Sequence, residues 1–196
     1  MFKYLIIPAI AVLIFGCESM STHKSLADSI HAVDTPLKTI VSVKMIVPGK
    51  RIGDIYINEN ADSVVAKLGK PDWSDAAMGA SFMVWFNKKG RNIHKTSIYA
   101  HRNMGAADEK VNYIKEIRET SPSFKTADYG GAGSEIKDVM RLYRLEKHPA
   151  PGNKKLWLYD NYHEGIGFEV DSTGKCLAVY IHAPDDSSTA HLDIHK

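Results

Sequence analysis

Four groups of residues in this chain have types and spacing that could do chemistry. His163-Glu164 lies in Asp160-Asn-Tyr-His-Glu-Gly165, where an imidazole beside a carboxylate could serve as an acid/base pair. His191-x-x-x-His195, with Asp193 between, has metal-ligand spacing if the segment is helical. Gly130-Gly-Ala-Gly133 runs into a helical pattern, as a phosphate-cradling loop would. Cys17 and Cys176 supply two thiols. Plainer accounts compete with each. A polar hairpin loop explains His163-Glu164, and a polar tail explains the histidines. The glycine loop lacks the Lys-Ser/Thr that should follow, so the geometry of a helix start explains it better. Gly-x-Ser-x-Gly, Walker-type and Cys-x-x-Cys motifs do not occur. A small hydrolase or metal-dependent enzyme built on His163, Glu164 or the C-terminal histidines is therefore the alternative reading, and a non-catalytic protein without a cofactor is the leading one.

Cys17 carries the sharpest chemistry. Met1-Phe2-Lys3 is a short basic start, and the 12 residues Tyr4–Phe15 are almost wholly apolar. That run is too short to span a bilayer but suits the core of a signal peptide. Ile14-Phe15-Gly16-Cys17 resembles a bacterial lipobox, although Phe15 stands where a small residue is more usual. The resemblance implies removal of residues 1–16 and diacylation of the Cys17 thiol. Each buried methylene contributes about 0.8 kcal/mol, so two or three acyl chains hold a protein at its membrane. Glu18 follows the cysteine in place of the Asp that favours inner-membrane retention. The expected location is thus the outer membrane, facing the periplasm.

Removing 16 of 196 residues leaves one large domain or two small ones. The formal charge of +2 falls to about +1 with the loss of Lys3. Near-balanced charge and export together argue against a nucleic-acid partner. With Cys17 consumed by lipid, Cys176 stands alone in the strand pattern Lys-Cys-Leu-Ala-Val-Tyr-Ile and reads as a small buried hydrophobe.

The elements that must position these groups follow from periodicity. Residues 17–50 read as anchor, polar tether and a possible first strand at Thr39–Val47, closed by Pro48-Gly49. Asn60 caps a helix bearing Val64, Val65 and Leu68; Gly69 stops it and Pro71 forbids its resumption. Strands follow at Ser81–Asn87, Thr96–His101 and Val111–Glu119, with Lys88-Lys89-Gly90-Arg91 as a basic turn. A second helix is predicted at Glu135–Leu145, with Ile136, Val139, Met140 and Tyr143 on one face. Strands at Lys155–Tyr159, Gly165–Val170 and Lys175–His182 come next, the last two joined by the hairpin turn Asp171-Ser-Thr-Gly174. Residues 184–196 form a polar tail. The order helix, then three or four antiparallel strands, thus occurs twice, in 51–119 and 120–183. The expected fold class is α+β: two tandem units of helix packed on a three- to four-stranded antiparallel sheet.

Alternation along the strands assigns faces. Leu156 and Leu158 are placed inward with Ile166, Phe168, Val170, Leu177, Val179 and Ile181. Trp157, Tyr159, Glu169, Tyr180 and His182 then lie outward. In the first unit Phe82, Val84, Phe86 and Ile98 are placed inward, and Met83, Trp85, Tyr99 and His101 outward. Val111, Ile114 and Ile117 break the alternation, which predicts a bulge. Trp157, Tyr159, Tyr180, His182, Trp85 and Tyr99 become the candidate protein-binding residues, because exposed aromatics give contact area at low entropic cost.

Ile55-Tyr-Ile-Asn-Glu-Asn-Ala-Asp-Ser-Val-Val-Ala-Lys-Leu-Gly-Lys-Pro71 resembles the helix, Leu-Gly-x-Pro and aromatic-strand signature of BamE/SmpA-type outer-membrane lipoproteins. Gly130-Gly-Ala-Gly-Ser-Glu-Ile-Lys-Asp-Val139 is similar to the glycine-rich helix start in the fold of the β-lactamase inhibitor protein. Asn58-Glu59-Asn60 and Tyr143-Arg144 depart from those patterns. The resemblance implies a non-catalytic lipoprotein that binds an envelope or secreted protein, stabilises an envelope assembly, or inhibits a secreted or periplasmic enzyme. It transfers no catalytic residue and no particular partner.

Overall fold

In the computed structural model, which describes residues 44–89, 92–150 and 153–186, three two-residue strands come first. These are β1 (Ile46–Val47), β2 (Arg51–Ile52) and β3 (Ile55–Tyr56), which form a small antiparallel sheet in that order. Helix α1 (Ala61–Leu68) follows. Asn60 caps it, its side-chain oxygen accepting from Asp62 N at 3.0 Å, and Gly69 ends it at φ 82°. Strands β4 (Trp73–Ala77), β5 (Ala80–Lys89), β6 (Asn92–Arg102) and β7 (Asn112–Glu119) then form a meander. A single helical turn, α2 (Ile136–Val139), precedes β8 (Glu146–Pro149), β9 (Trp157–Asn161), β10 (Ile166–Val170) and β11 (Cys176–His182). Residues 1–43 and 187–196 lie outside the described residues. So do the predicted signal peptide, Cys17, most of the tether, and His191, Asp193 and His195.

The expected α+β class is corrected. All eight strands of the two meanders belong to one antiparallel sheet, ordered β4-β5-β6-β7-β11-β10-β9-β8. The reason is the seam between β7 and β11, where Val179, Tyr180, Ile181 and His182 pair with Glu119, Arg118, Ile117 and Glu116. Helix is minor because α2 is one turn long, not the eleven residues that periodicity predicts. Its N-cap, Glu135, makes no side-chain capping bond, and Met140 and Leu142 stand 49% and 47% exposed. An uncapped turn followed by two apolar residues left in water has little to extend it. The structure also holds β4 and β8, which strand patterning missed.

Cross-strand register builds the core on one face. Met83, Ile98, Ile117, Ile181 and Ile166 are successive partners across five strands and form a continuous apolar row. Val64 of α1, Val139 of α2, Tyr143 and Phe168 join the same buried cluster, as do Ile46, Ile52 and Ile55 from the small sheet. Each such side chain contributes about 1.5–3 kcal/mol on burial. The bulge predicted in β7 is present. Tyr99 pairs with Glu116 but Ala100 with Ile114, so Lys115 is the extra residue.

Candidate buried polar site

The face opposite the core carries a row that crosses all eight strands. Trp73, Val84, Ser97, Arg118, Tyr180, Gly167, Asp160 and Glu146 are successive register partners. A second row on that face runs Phe82, Tyr99, Glu116, His182. Where the two rows meet the β7–β11 seam, ionisable side chains are buried: Glu116 (1% exposed), Glu169 (1%), His182 (0%) and Asp160 (6%). Charged groups this deep are rare unless paired.

The pairing is specific. Arg118 donates through Nε to Glu169 Oε1, and through Nη2 to Glu169 Oε2 at 2.6 Å, a bidentate fork across the seam. Burial alone would lower the proton affinity of Arg118, but Glu169 holds its pKa above the ordinary value. His182 places Nδ1 2.8 Å from the Ala183 carbonyl oxygen and Nε2 3.3 Å from Asp160 Oδ1. Both neighbours are acceptors, so both ring nitrogens act as donors and the imidazolium is the form that fits. Burial opposes that charge; the Asp160 hydrogen bond and charge and the Ala183 carbonyl outweigh it and raise the pKa. Glu116 is the odd member. Its Oε1 is buried and makes no hydrogen bond among the described residues. Burial first, then the charges of Glu169 and Asp160, push its pKa well above the carboxylate range, against the smaller pull of Arg118.

Gly167 makes room for this arrangement. A Cβ there would lie 2.1 Å from Cζ of Tyr180, so the phenol ring crosses the strand where a side chain is missing. The Tyr180 hydroxyl pKa is raised well above its ordinary value, by burial first and then by Asp160, Glu116 and Glu169. The Tyr180 and His182 rings stack with centroids 6.5 Å apart. Chemically, the site can hold protons and charge while locking the two meanders together.

The structure divides the predicted aromatic surface. Tyr180 (2% exposed), His182 and Trp85 (8%) are buried, which corrects their assignment as outward contact residues. Leu158 opposes Glu169 and Trp157 opposes Val170, so β9 sits one residue off the expected register with β10. A one-residue slip moves every side chain of a strand to the other face. Trp157 and Tyr159 therefore share the face of Phe168. Trp157 is 38% exposed, Tyr159 half-buried, and Lys147 Nζ lies 3.9 Å from the Trp157 ring centroid. Leu177, expected inward, is 42% exposed at the irregularity between Glu169 and Val170. In β5 the faces are likewise inverted, whereas in β6 Ile98 lies in the core and Tyr99 on the opposite face as expected. Met83 and Trp85 join the core, and Trp85 Nε1 donates to the Gly69 carbonyl at 2.9 Å. Half-buried Tyr99 packs on Phe82 at 4.9 Å on the opposite face.

His163 and Glu164 do line a cleft of about 820 Å³, with Arg141, Arg144, Glu146 and Asp160 among its walls. Each has a structural task there. His163 Nδ1 lies 2.6 Å from Asp185 Oδ1, and Glu164 Oε1 accepts from Asn161 Nδ2 at 2.9 Å, closing the turn. In the glycine loop the Gly130 N–H donates to Thr126 Oγ1 at 2.9 Å and the Gly133 N–H to the Cys176 carbonyl at 2.7 Å, so these donors are spent within the fold and do not cradle an anion. Among the described residues no three His, Cys, Asp or Glu side chains gather as metal ligands. Cys176 is buried, and burial pushes its thiol up to about 12, which leaves it protonated and unreactive. Sequence reasoning missed the buried cluster. Its one local signal was Glu169 in the otherwise apolar strand Ile-Gly-Phe-Glu-Val; Glu116 and Arg118 sit in the charged strand Asn-Tyr-Ile-Lys-Glu-Ile-Arg-Glu, where nothing marks them as buried. The chain matches no protein-family model, and neither curated proteins nor solved structures contain a match to it.

Proposed function

We propose that this chain is a non-catalytic envelope lipoprotein, anchored through lipid on Cys17 and facing the periplasm from the outer membrane, that binds another protein at the β4 edge of its sheet. The observation that carries the reading is the state of that edge. β4 is the end strand, and all five of its residues are exposed. Its hairpin with β5 closes through Met78 and Gly79, with φ of 52° and 81°, the signature of a two-residue type I′ turn. In that geometry Ala77, Asp75 and Trp73 turn their backbone groups to β5, leaving those of Ser74 and Ala76 directed outward. The Ala76 N–H is covered only by the Asp75 carboxylate, 2.9 Å away. Trp73, 51% exposed, stands at one end as an aromatic contact. Such an edge accepts an added strand from a partner.

Two outcomes test the reading. Cys17→Ser should release the protein from the membrane fraction; retention in high salt without lipid mass on the wild type would remove the anchor. Ser74→Pro deletes an outward N–H while sparing the β4–β5 ladder. The melting temperature should therefore hold while a partner retained from envelope extract by the wild type is lost. Equal retention by both baits would exclude this edge.

A further inference from the structure

Residues 86–89 of β5 and 92–95 of β6 stand beyond the rest of the sheet. β4 reaches no further along β5 than Trp73 opposite Val84, and β7 no further along β6 than Glu119 opposite Thr96. Past Lys95, which exchanges hydrogen bonds with Thr120 at 2.7 and 3.0 Å, the two strands have only each other as ladder partners. From Phe86 opposite Lys95 to Lys89 opposite Asn92 they form a two-stranded arm. Four residues of strand give it a reach of about 13 Å.

A lone ribbon of this kind is marginal in water and gains nothing from bare apolar side chains. Yet Phe86 is 38% and Ile93 60% exposed. They share a face, since Phe86 pairs with Lys95 and Ile93 sits two residues before Lys95. Lys95 Nζ lies 5.7 Å from the Phe86 ring centroid. Charge is equally one-sided. Between Asp75 and Asp108 the chain has Lys88, Lys89, Arg91, Lys95 and Arg102 but no Asp or Glu, within a protein of 25 basic and 23 acidic residues. Two acids meet the arm at its base: Asp72 accepts from Phe86 N at 2.6 Å, and Glu119 accepts from Thr96 Oγ1 at 2.7 Å.

We propose that the β5–β6 arm docks on an anionic phospholipid bilayer, seating Phe86 and Ile93 among the headgroups while its basic residues meet lipid phosphates. Charge complementarity selects a polyanion, and the apolar pair selects lipid over nucleic acid or an acidic polypeptide, neither of which offers Ile93 an apolar medium. Amphipathic helices at such interfaces bury their apolar face by about 5–10 Å, and the arm's reach of about 13 Å is long enough for the same depth. The surface is distinct from the β4 edge and uses no lipid on Cys17, so failure of either reading leaves the other standing.

The test uses the full chain with Cys17→Ser, so that no lipid anchor contributes, Ile93→Trp as reporter, and vesicles whose acyl chains carry bromine as quencher. The same chain without the reporter, with Trp73, Trp85 and Trp157, sets the background. Added quenching is expected on phosphatidylcholine vesicles containing a third phosphatidylserine, and not on phosphatidylcholine alone. Adding Lys89→Glu and Lys95→Glu should weaken the apparent affinity at least about 25-fold, roughly fivefold for each basic charge lost. Three results overturn the proposal: an unquenched reporter, equal quenching on neutral vesicles, or a reporter that responds to RNA or polyglutamate but not to anionic vesicles.

Discussion

Arg118→Met should destabilise the fold by about 3–5 kcal/mol, the range for a buried pair that loses one partner. The methionine fills most of the space but leaves Glu169, 1% exposed, without its guanidinium fork. Position adds to the effect. Arg118 pairs with Tyr180 across the seam that joins the two meanders, and that seam is only four residue pairs long. The matched control is Arg118→Met with Glu169→Leu, which removes both charges. Replacing both partners of a buried pair by apolar residues is often neutral, so the double variant should recover most of the loss. Denaturant midpoints and slopes for wild type, both single variants and the double variant close the cycle. A loss below about 1 kcal/mol for Arg118→Met would mean that water reaches Glu169 and that the pair is a surface contact.

Glu116→Gln should abolish the pH dependence of stability that Glu116 imposes. The folded state raises the proton affinity of Glu116 well above its ordinary value of 4.5. Stability from the neutral acid is therefore fully present below about pH 4.5. It is lost as pH rises toward the folded-state pKa, at up to about 1.4 kcal/mol per pH unit. Glutamine keeps the shape and carries no charge at any pH. The variant should thus start level with or slightly below wild type at pH 4.5, and overtake it through neutrality and beyond. His182 has a raised pKa as well, so its contribution is present below 6.5 and fades as pH climbs through its folded value. Both proteins contain His182, so its effect falls out of the difference. Unfolding curves from pH 4.5 to 9 for the two chains decide the matter. Parallel curves would show that Glu116 is hydrated and ionised in the fold.

Both effects spring from the same place, the polar patch at the β7–β11 seam. An apolar surface there would hold the two meanders together with no preferred alignment, whereas the fork from Arg118 to Glu169 and the contact from His182 to Asp160 each work in one register only. Unsatisfied charge penalises every slipped pairing. The patch therefore sets alignment as well as contributing stability, and the β4 edge and the β5–β6 arm are held in place by the sheet it aligns.

Local chemistry determined the parts of this molecule whose causes are local. Asn60 and Gly69 bound α1 because a side-chain cap and a positive φ act within one helical turn. Asp171-Ser-Thr-Gly174 makes its hairpin because Asp171 Oδ1 accepts from the backbone N–H of Thr173 and Lys175, while Gly174 takes φ 90°. The bulge at Lys115 was legible in the broken alternation of β7. The basic start and apolar run that end at Cys17 are legible in the sequence as a pattern, and they lie outside the described residues. Tertiary structure alone decided the rest. Alternation says that Trp157 and Leu158 face opposite ways; only pairing with β10 says which of them meets the core, and that pairing set Leu158 against Glu169. Nothing near β7 in the chain announces β11 as its neighbour, since the partners lie some sixty residues apart and each has another strand beside it. The merger of two expected units into one sheet, the burial of Tyr180 and His182, and the convergence of Glu116, Arg118, Asp160 and Glu169 all follow from that long-range choice. Periodicity has no access to it, because a strand's faces are a property of the strand and its register is a property of the pair.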